Sequence, residues 1–211
     1  MKNTFSKGFT LVELLIVITI LAALAAAVVV VLNPAELLAQ ARDAQRMADM
    51  TVTRDALLLL ISQVPATDFC ATALRVGAGC LAPGLCSTVA AVPAATAPFG
   101  ALPTPANPCT ATPAADVRNI AGAGWVTADF RTMPGGSPIA SLPVDPVNTG
   151  SFFYGFRADA ARTFRLVTRL ESLRHRVMMR NDGGPRSACA GDVFTGADCF
   201  YEVGTNMVAG F

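Results

Sequence analysis

The chain has 211 residues, 53% of them hydrophobic, and a formal net charge of +1 at pH 7. This length allows one ordinary domain with an appendage. The near-zero charge excludes the overall electrostatic field by which many proteins attract nucleic acids or acidic partners. Both lysines, Lys2 and Lys7, precede a long apolar run, and all six cysteines follow it. If that apolar run spans a membrane, an even number of cysteines beyond it indicates that this part of the chain lies in an oxidising compartment, where disulfides form.

The apolar run Phe9–Leu32 is long enough to cross a membrane. As a helix it would rise about 36 Å, against a hydrocarbon core of about 30 Å. The lysines before it predict a cytoplasmic N-terminus and an exported remainder. Glu13 is its only ionisable residue, and a carboxylate within a span costs roughly 3 kcal/mol. A secretory signal peptide cleaved near Ala25–Ala27 and a plain anchor are the alternatives, but neither explains Glu13.

The stretch KGFTLVELLIVITIL, 7–21, resembles the class III signal of type IV pilins and pseudopilins. The shared pattern is a basic leader ending in glycine, then phenylalanine, then a glutamate at the fifth mature position. The resemblance implies that a prepilin peptidase cuts between Gly8 and Phe9 and methylates the new amine of Phe9. It also implies that Glu13 pairs with the Phe9 amine of a neighbouring subunit. Such a pair offsets the cost of burying either charge and sets the register of assembly.

A second helix is predicted over 33–64. Asn33 is a suitable N-cap and Pro34 a suitable first residue, although one continuous helix kinked at Pro34 is the alternative. The pattern is amphipathic and predicts that the apolar side packs against the exported head. The apolar positions are Leu37, Leu38, Ala41, Ala44, Met47, Ala48, Leu57, Leu58 and Ile61. The opposing polar positions are Arg42, Asp43, Arg46, Asp49, Arg54 and Asp55.

Segment 65–149 is rich in proline and alanine and predicts a surface loop region, because proline is excluded from long helices and central strands. Four cysteines tie this region down if they are oxidised: Cys70, Cys80, Cys86 and Cys109. The segment 124–130, GWVTADF, is a candidate strand at its end.

Segment 150–211 predicts a small antiparallel sheet followed by a disulfide loop. The stretches 151–157 and 163–170 flank a turn and predict a hairpin, and 199–205 predicts a last strand. Sequence locality favours a Cys189–Cys199 disulfide, although six cysteines allow fifteen connectivities. A loop closed in this way is similar to the C-terminal loop of many type IV pilins. The predicted fold is therefore α+β, with the long N-terminal helix packed on the sheet.

Other candidate sites in the head are weak. A series of seven arginines could form a DNA-binding stripe, but no aromatic side chains are interleaved with them on that face. This pattern favours a solvated sheet face with scattered charge pairs. Three aspartates lack the spacing of a calcium loop, so we expect no metal and no cofactor. The single histidine, His175, has no partner motif, and we expect no catalytic residues and no enzyme activity. The arginines are Arg157, Arg162, Arg165, Arg169, Arg174, Arg176 and Arg180, and the aspartates are Asp182, Asp192 and Asp198.

The resemblance implies a structural subunit of a type IV pilus, which serves adhesion, motility or DNA uptake. It would be made as an inner-membrane precursor, with leader 1–8 and filament-core helix 9–32, and polymerised into an extracellular filament. Its partners would be copies of itself, other pilins, the prepilin peptidase and the inner-membrane assembly platform. A pseudopilin of a type II secretion system is the first alternative. A membrane-anchored or secreted binding or enzymatic head is the second.

Overall fold

The computed structural model describes residues 8–67, 69, 85–88, 110–159, 161–184 and 199–205. Its helices are α1 (Leu11–Leu32), α2 (Pro34–Gln63) and α3 (Met178–Asn181), with a 3-10 helix at Phe130–Thr132. Its strands are β1 (Leu85–Cys86), β2 (Thr110–Ala111), β3 (Gly155–Ala158), β4 (Phe164–Thr168) and β5 (Tyr201–Gly204). The chain divides into two compact units, 1–39 and 40–211. The fold is α+β, as predicted.

The first unit contains α1 and the first residues of α2. Asn33 ends α1 in the left-handed conformation, with φ 40°, which asparagine tolerates better than most residues. Pro34 begins α2, and the Asn33 carbonyl accepts hydrogen bonds from the N–H groups of Glu36 and Leu37 at 3.0 and 3.3 Å. Proline cannot continue the hydrogen-bond ladder of α1, but it suits the first turn of a new helix. The prediction of a new helix here is confirmed, and the continuous-helix alternative is wrong.

The core of the second unit contains side chains from α2 and from the sheet. Leu57 and Leu60 of α2 are fully buried in one cluster with Phe156, Phe164 and Leu166 of β3 and β4. Burying side chains of this size contributes about 2 kcal/mol each. This contact positions the helix on one face of the hairpin.

The sheet has the strand order β2-β1-β3-β4-β5. All neighbours pair antiparallel except β1 and β2, which are parallel. The pairing of Phe156 with Leu166 sets the register of the β3–β4 hairpin. The predicted hairpin and the predicted last strand, β5, are therefore confirmed. The proline-rich segment supplies β2 at the sheet edge, where a short strand with prolines nearby is tolerated.

The interpretation of 65–149 as surface loops is wrong around Trp125. Trp125, Phe130 and Leu142 are fully buried in the main core, and the indole Nε1 donates to the Pro143 carbonyl at 2.9 Å. The predicted strand at 124–130 is also wrong: this segment makes one isolated bridge, Ala121 with Asp129, before the 3-10 helix. The alternating apolar residues of this segment are buried in a folded loop. Sequence periodicity indicates such burial but does not distinguish a buried loop from a paired strand.

The predicted inward face of α2 is wrong over the first half of the helix and at several positions beyond it. Its buried positions include Asp43, Arg46, Met50 and Thr53, whereas Leu58 and the three predicted alanines are exposed. Hydropathy placed the charged side chains outside because burying an unpaired charge is strongly unfavourable. Here the charges are buried together with partners from distant segments, so the helix is rotated from the predicted orientation. The exposed alanines are Ala41, Ala44 and Ala48.

Candidate functional site

The predicted cleavage point lies in exposed, non-helical backbone. Gly8, Phe9 and Thr10 precede α1, and the Phe9 side chain is 82% exposed. Exposed, irregular segments are the sites that proteases reach most readily. A methyl group added at Gly8 would meet no atom within 4 Å. The packing of this chain therefore does not require glycine at position 8.

Glu13 and Thr10 form a reciprocal capping box at the start of α1. The Glu13 N–H donates to Thr10 Oγ1 at 3.2 Å, and Glu13 Oε2 accepts from the Thr10 N–H at 2.9 Å. The Thr10 hydroxyl also donates to Oε2, at 2.8 Å. These bonds satisfy backbone N–H groups that a helix start leaves unpaired. The other carboxylate oxygen, Oε1, takes no part in the capping box.

Sequence reasoning identified Glu13 but missed its partner. The spacing of a threonine three residues before a glutamate, at the start of an apolar run, is the signature of a capping box and could have identified Thr10. Within one chain, the carboxylate of Glu13 thus organises the first turn of α1. Pairing with a second subunit would be an additional role.

The described side chains of α1 are exposed along its whole length. The stretch Leu11–Val29 is long and apolar enough to cross a membrane. Exposed leucine, isoleucine and valine over such a length must be covered by lipid or by other helices. The helix therefore supplies an apolar surface whose single ionisable group lies at its N-terminal end.

The second unit contains a buried cluster of charged side chains around Arg46. Its guanidinium donates to Asp145 through Nε at 2.6 Å, to Asp43 through Nη1 at 2.9 Å, and approaches Glu171 Oε1 at 2.5 Å. Its Cζ lies 5.0 Å from the centroid of the Phe152 ring. The Asp43 carboxylate in turn accepts from the backbone N–H groups of Glu171 and Ser172 at 2.8 and 2.7 Å. The cluster therefore joins α2 to the segments before β3 and after β4.

Burial and pairing act in opposite directions on the ionisable groups of this cluster. Desolvation disfavours the charged guanidinium of Arg46, but the hydrogen bond and charge of Asp145 outweigh it, with help from Glu171, and raise its pKa. Nearby, burial raises the pKa of Asp49, although the Tyr154 hydroxyl donates to its Oδ2 at 2.7 Å and opposes the shift. The arrangement holds α2 in place, and the guanidinium of Arg46 stays charged near neutral pH, as arginine does in proteins.

Two of the predicted disulfide cysteines are described, and both are buried: Cys86 in β1 and Cys199 before β5. Neither is a free thiol. Cys70, Cys80, Cys109 and Cys189 lie outside the described residues. The Cys189–Cys199 pairing therefore stays a prediction.

The interpretation of the arginines as a solvated sheet face is wrong for three of them. Arg157, Arg165 and Arg169 are buried. Arg165 pairs with Glu202 at 3.3 Å, and the Arg169 guanidinium lies 4.7 Å from the centroid of the Phe200 ring. Because these three are enclosed by protein, they do not supply a DNA-binding stripe along the strands.

The described part of the candidate calcium loop is used internally. Asp182 accepts from the N–H groups of Gly184 and Glu202 at 2.9 and 2.7 Å. Asp192 and Asp198 lie outside the described residues. Within the described ranges, no group of three or more histidine, cysteine or acidic side chains is placed to hold a metal ion.

A comparison with protein families matches residues 4–29 to the prokaryotic N-terminal methylation motif. No curated protein and no solved structure matches the chain. The chain therefore carries the prepilin signal of type IV pilins and pseudopilins, covering the leader end, Gly8, Phe9 and Glu13. The fold is consistent with this class, because a long apolar N-terminal helix precedes a second helix and a small, mainly antiparallel sheet. Together they support a pilin-like or pseudopilin precursor, and the apolar helix fits a membrane anchor.

Proposed function

We propose that the protein is a structural subunit of a type IV pilus, trimmed after Gly8 and polymerised through α1. The observation that carries this proposal is the combination of a prepilin signal with a fully exposed apolar helix. Once the subunit leaves the bilayer, that helix has to be covered by other helices, because water would otherwise contact its whole apolar surface. A helical polymer with the α1 helices at its centre provides this cover.

The outward side of α2 supports the same proposal. Ala41, Ala44, Ala48 and Val52 are exposed on the side opposite the buried charged cluster. Small side chains let neighbouring helices approach closely. We expect copies of the chain, and other pilins, to pack against this side of α2.

The charge of Glu13 has a specific role in this proposal. Cleavage after Gly8 creates an amine on Phe9, and the capping box leaves Oε1 of Glu13 for an approaching donor. Pairing with the Phe9 amine of a neighbouring subunit would neutralise both groups inside the apolar core of the filament. The pair would set register, while the apolar side chains would provide affinity.

The subunit would act in an extracellular filament for adhesion, motility or DNA uptake. The proline-rich segment and the six cysteines favour this over a pseudopilin of a type II secretion system, because they suggest a head exposed to the outside. The prepilin peptidase and the inner-membrane assembly platform would be its partners. A membrane-anchored binding or enzymatic head is the second alternative, and the proposal assigns no catalytic step to the head.

Mass spectrometry of the mature N-terminus, in membranes and in sheared surface material, tests the pathway. A chain that begins at N-methylated Phe9 and is present in sheared filaments supports the pilus role. The same N-terminus confined to the cell envelope favours the pseudopilin. A chain that begins in the alanine run 22–27, or an intact chain alone, contradicts both.

Two substitutions of Glu13 separate its charge from its capping role. Glu13→Gln keeps a side-chain oxygen for the capping box and removes the charge, whereas Glu13→Ala removes both. If the charge pair drives assembly, filament number falls for both variants while processing continues. Normal filament numbers with Glu13→Gln, but few with Glu13→Ala, would mean that the cap alone matters.

A further inference from the structure

The start of α1 lies close to the Gly8–Phe9 bond, which a prepilin peptidase would cut. Gly8, Phe9 and Thr10 are non-helical, and α1 begins at Leu11. Thr10 has extended backbone, with φ −81° and ψ 151°. The bond is therefore presented in exposed, irregular chain directly before a long helix.

The capping box stops α1 from growing towards this bond. In an α-helix each N–H donates to the carbonyl four residues earlier, so growth by one residue would need the Glu13 N–H to donate to the Phe9 carbonyl. That N–H instead donates to Thr10 Oγ1 at 3.2 Å. Growth by a second residue would pair the Val12 N–H with the Gly8 carbonyl, which is the group that a peptidase attacks. The Thr10 hydroxyl thus keeps this carbonyl out of the helix.

The same group of bonds opposes fraying of α1. The Leu14 N–H donates to the Thr10 carbonyl at 3.3 Å, and Glu13 Oε2 accepts from the Thr10 N–H and hydroxyl at 2.9 and 2.8 Å. Each residue rises by about 1.5 Å in a helix and about 3.3 Å in extended chain. Unwinding of one turn would therefore move the Gly8–Phe9 bond by about 6 Å relative to the rest of α1.

A fixed helix start matters for a protease that cuts a membrane-anchored substrate. The apolar stretch begins at Leu11, so the position of α1 in a bilayer would set the depth of the bond. A protease reaches exposed, irregular chain most readily. When only a fraction of the substrate has the competent conformation, its apparent affinity falls by that fraction. A helix cap changes the local equilibrium about fivefold, which is enough to alter cleavage measurably.

We infer that Thr10 is a positioning residue for cleavage between Gly8 and Phe9. Through the capping box, its hydroxyl holds the bond in extended chain at a fixed distance from α1. Water adds to the Gly8 carbonyl, the peptide bond breaks, and the products are a carboxylate on Gly8 and an amine on Phe9. The inference rests on processing by a prepilin peptidase, which is part of the proposed function and which the methylation motif at 4–29 supports.

The test is cleavage of the full-length precursor in nanodiscs by a purified prepilin peptidase, without a methyl donor. Mass spectrometry follows the chain that begins at Phe9, and initial rates at several substrate concentrations give kcat and KM. For Thr10→Ala we expect KM to rise about three- to fivefold with kcat nearly unchanged, because the chain that binds in the competent form reacts as before. Cleavage still reaches completion, so the rates carry the result.

Cap-retaining variants and a matched control separate the cap from the threonine side chain itself. Thr10→Ser and Thr10→Asn keep a capping oxygen on side chains of different shape, and they should restore KM to near the wild-type value. Thr19→Ala removes a hydroxyl that donates to the Ile16 carbonyl at 2.8 Å within α1. This control should leave both kinetic constants unchanged.

Proline at position 11 supplies the same helix start without the Thr10 hydroxyl. It suits the first helical residue and holds the residue before it in extended chain. The Leu11 side chain is 82% exposed, so its replacement removes no packing within the chain. Thr10→Ala should therefore have no further effect on KM once Leu11 is proline, whatever Leu11→Pro does alone.

Several results would contradict the inference. Equal KM values for wild type and Thr10→Ala would show that the cap does not position the bond. High KM values in Thr10→Ser and Thr10→Asn would mean that the peptidase recognises threonine itself. A lower kcat at unchanged KM would assign Thr10 to the chemical step. A wild-type chain left uncut at Gly8–Phe9 would instead overturn the prepilin pathway, and that result depends on no variant.

Discussion

Arg46 and Asp145 form a doubly hydrogen-bonded ion pair inside the second unit, with distances of 2.6 Å from Nε to Oδ2 and 3.0 Å from Nη2 to Oδ1. Both side chains are fully buried. Side-by-side pairing of this kind fixes direction as well as distance. A buried pair adds little net stability compared with apolar side chains, but loss of one partner leaves a charge stranded in the interior. The pair therefore sets how α2 is rotated against the head.

Replacing Arg46 should destabilise the second unit strongly. Arg46→Met leaves Asp43, Asp145 and Glu171 near one another without their shared cation, and we expect the free energy of unfolding to fall by about 3–5 kcal/mol. Chemical denaturation of the purified chain in detergent measures this. The control is Arg54→Met, on an exposed side of the same helix, with an expected change within about 0.5 kcal/mol. Similar losses for the two variants would contradict a structural role for the cluster.

Asp49→Asn should stabilise the protein most at neutral pH. Burial raises the pKa of Asp49 above its ordinary value, so the native state binds its proton more tightly than the unfolded state. Stability from this group is therefore present at low pH and lost as the pH rises through the native pKa. Asparagine keeps an acceptor for Tyr154 without the charge.

Thermal unfolding between about pH 4 and pH 8 checks this prediction, because the window begins near the ordinary aspartate pKa and extends above it. The melting temperature of Asp49→Asn should exceed the wild-type value at the upper end, and the difference should shrink towards pH 4. The control Thr51→Ala, at an exposed position of α2, removes no titratable group, so its effect on the melting temperature should be the same at every pH. If the melting-temperature difference between Asp49→Asn and the wild type instead grows as the pH falls, the prediction of a raised native pKa for Asp49 is contradicted.

Thr10→Ala should loosen the start of α1. Loss of the Thr10 hydroxyl removes its part in the capping box and costs about 1 kcal/mol of local helix stability. Amide exchange of residues 13 and 14, whose N–H groups bond to Thr10, should then rise roughly fivefold in micelles, as a free-energy change of about that size requires. Thr10→Ser should behave like wild type. Thr19→Ala, which removes a hydroxyl bonded to the Ile16 carbonyl within α1, is the control. Unchanged exchange in Thr10→Ala would show that the cap is dispensable.

Gly204→Ala should disrupt the pairing of β4 with β5. A Cβ at Gly204 would lie 2.1 Å from the Phe164 carbonyl oxygen and 2.9 Å from the Arg165 Cα, which are backbone atoms that cannot rotate away. We expect a loss of about 1–3 kcal/mol, measured as a shift of the denaturation midpoint. Gly135→Ala, where an added Cβ meets nothing within 4 Å, should be nearly neutral. Equal midpoints for the two variants would contradict the strand register.

Local features were predictable because their causes are local. The prepilin signal, the apolar run and the helix break at Asn33–Pro34 depend on neighbouring residues alone, and so does the β3–β4 hairpin. Capping, the missing proline N–H and the alternation of a hairpin act within a few positions of the chain. The sequence by itself therefore determined the prepilin signal and an apolar helix long enough to cross a membrane.

Tertiary structure alone decided which side of α2 is buried. Hydropathy assigned Asp43 and Arg46 to solvent. The carboxylate of Asp145, 99 positions beyond Arg46, pairs with the guanidinium and so offsets the free-energy cost of burying it. The same holds for Arg165, whose guanidinium is buried with the carboxylate of Glu202, a diagonal neighbour on β5. Hydropathy periodicity takes into account only the free energy of burying each side chain alone. A charged side chain is buried when a residue of opposite charge from a distant segment of the chain pairs with it. Such a pair forms only when folding brings the two distant segments together.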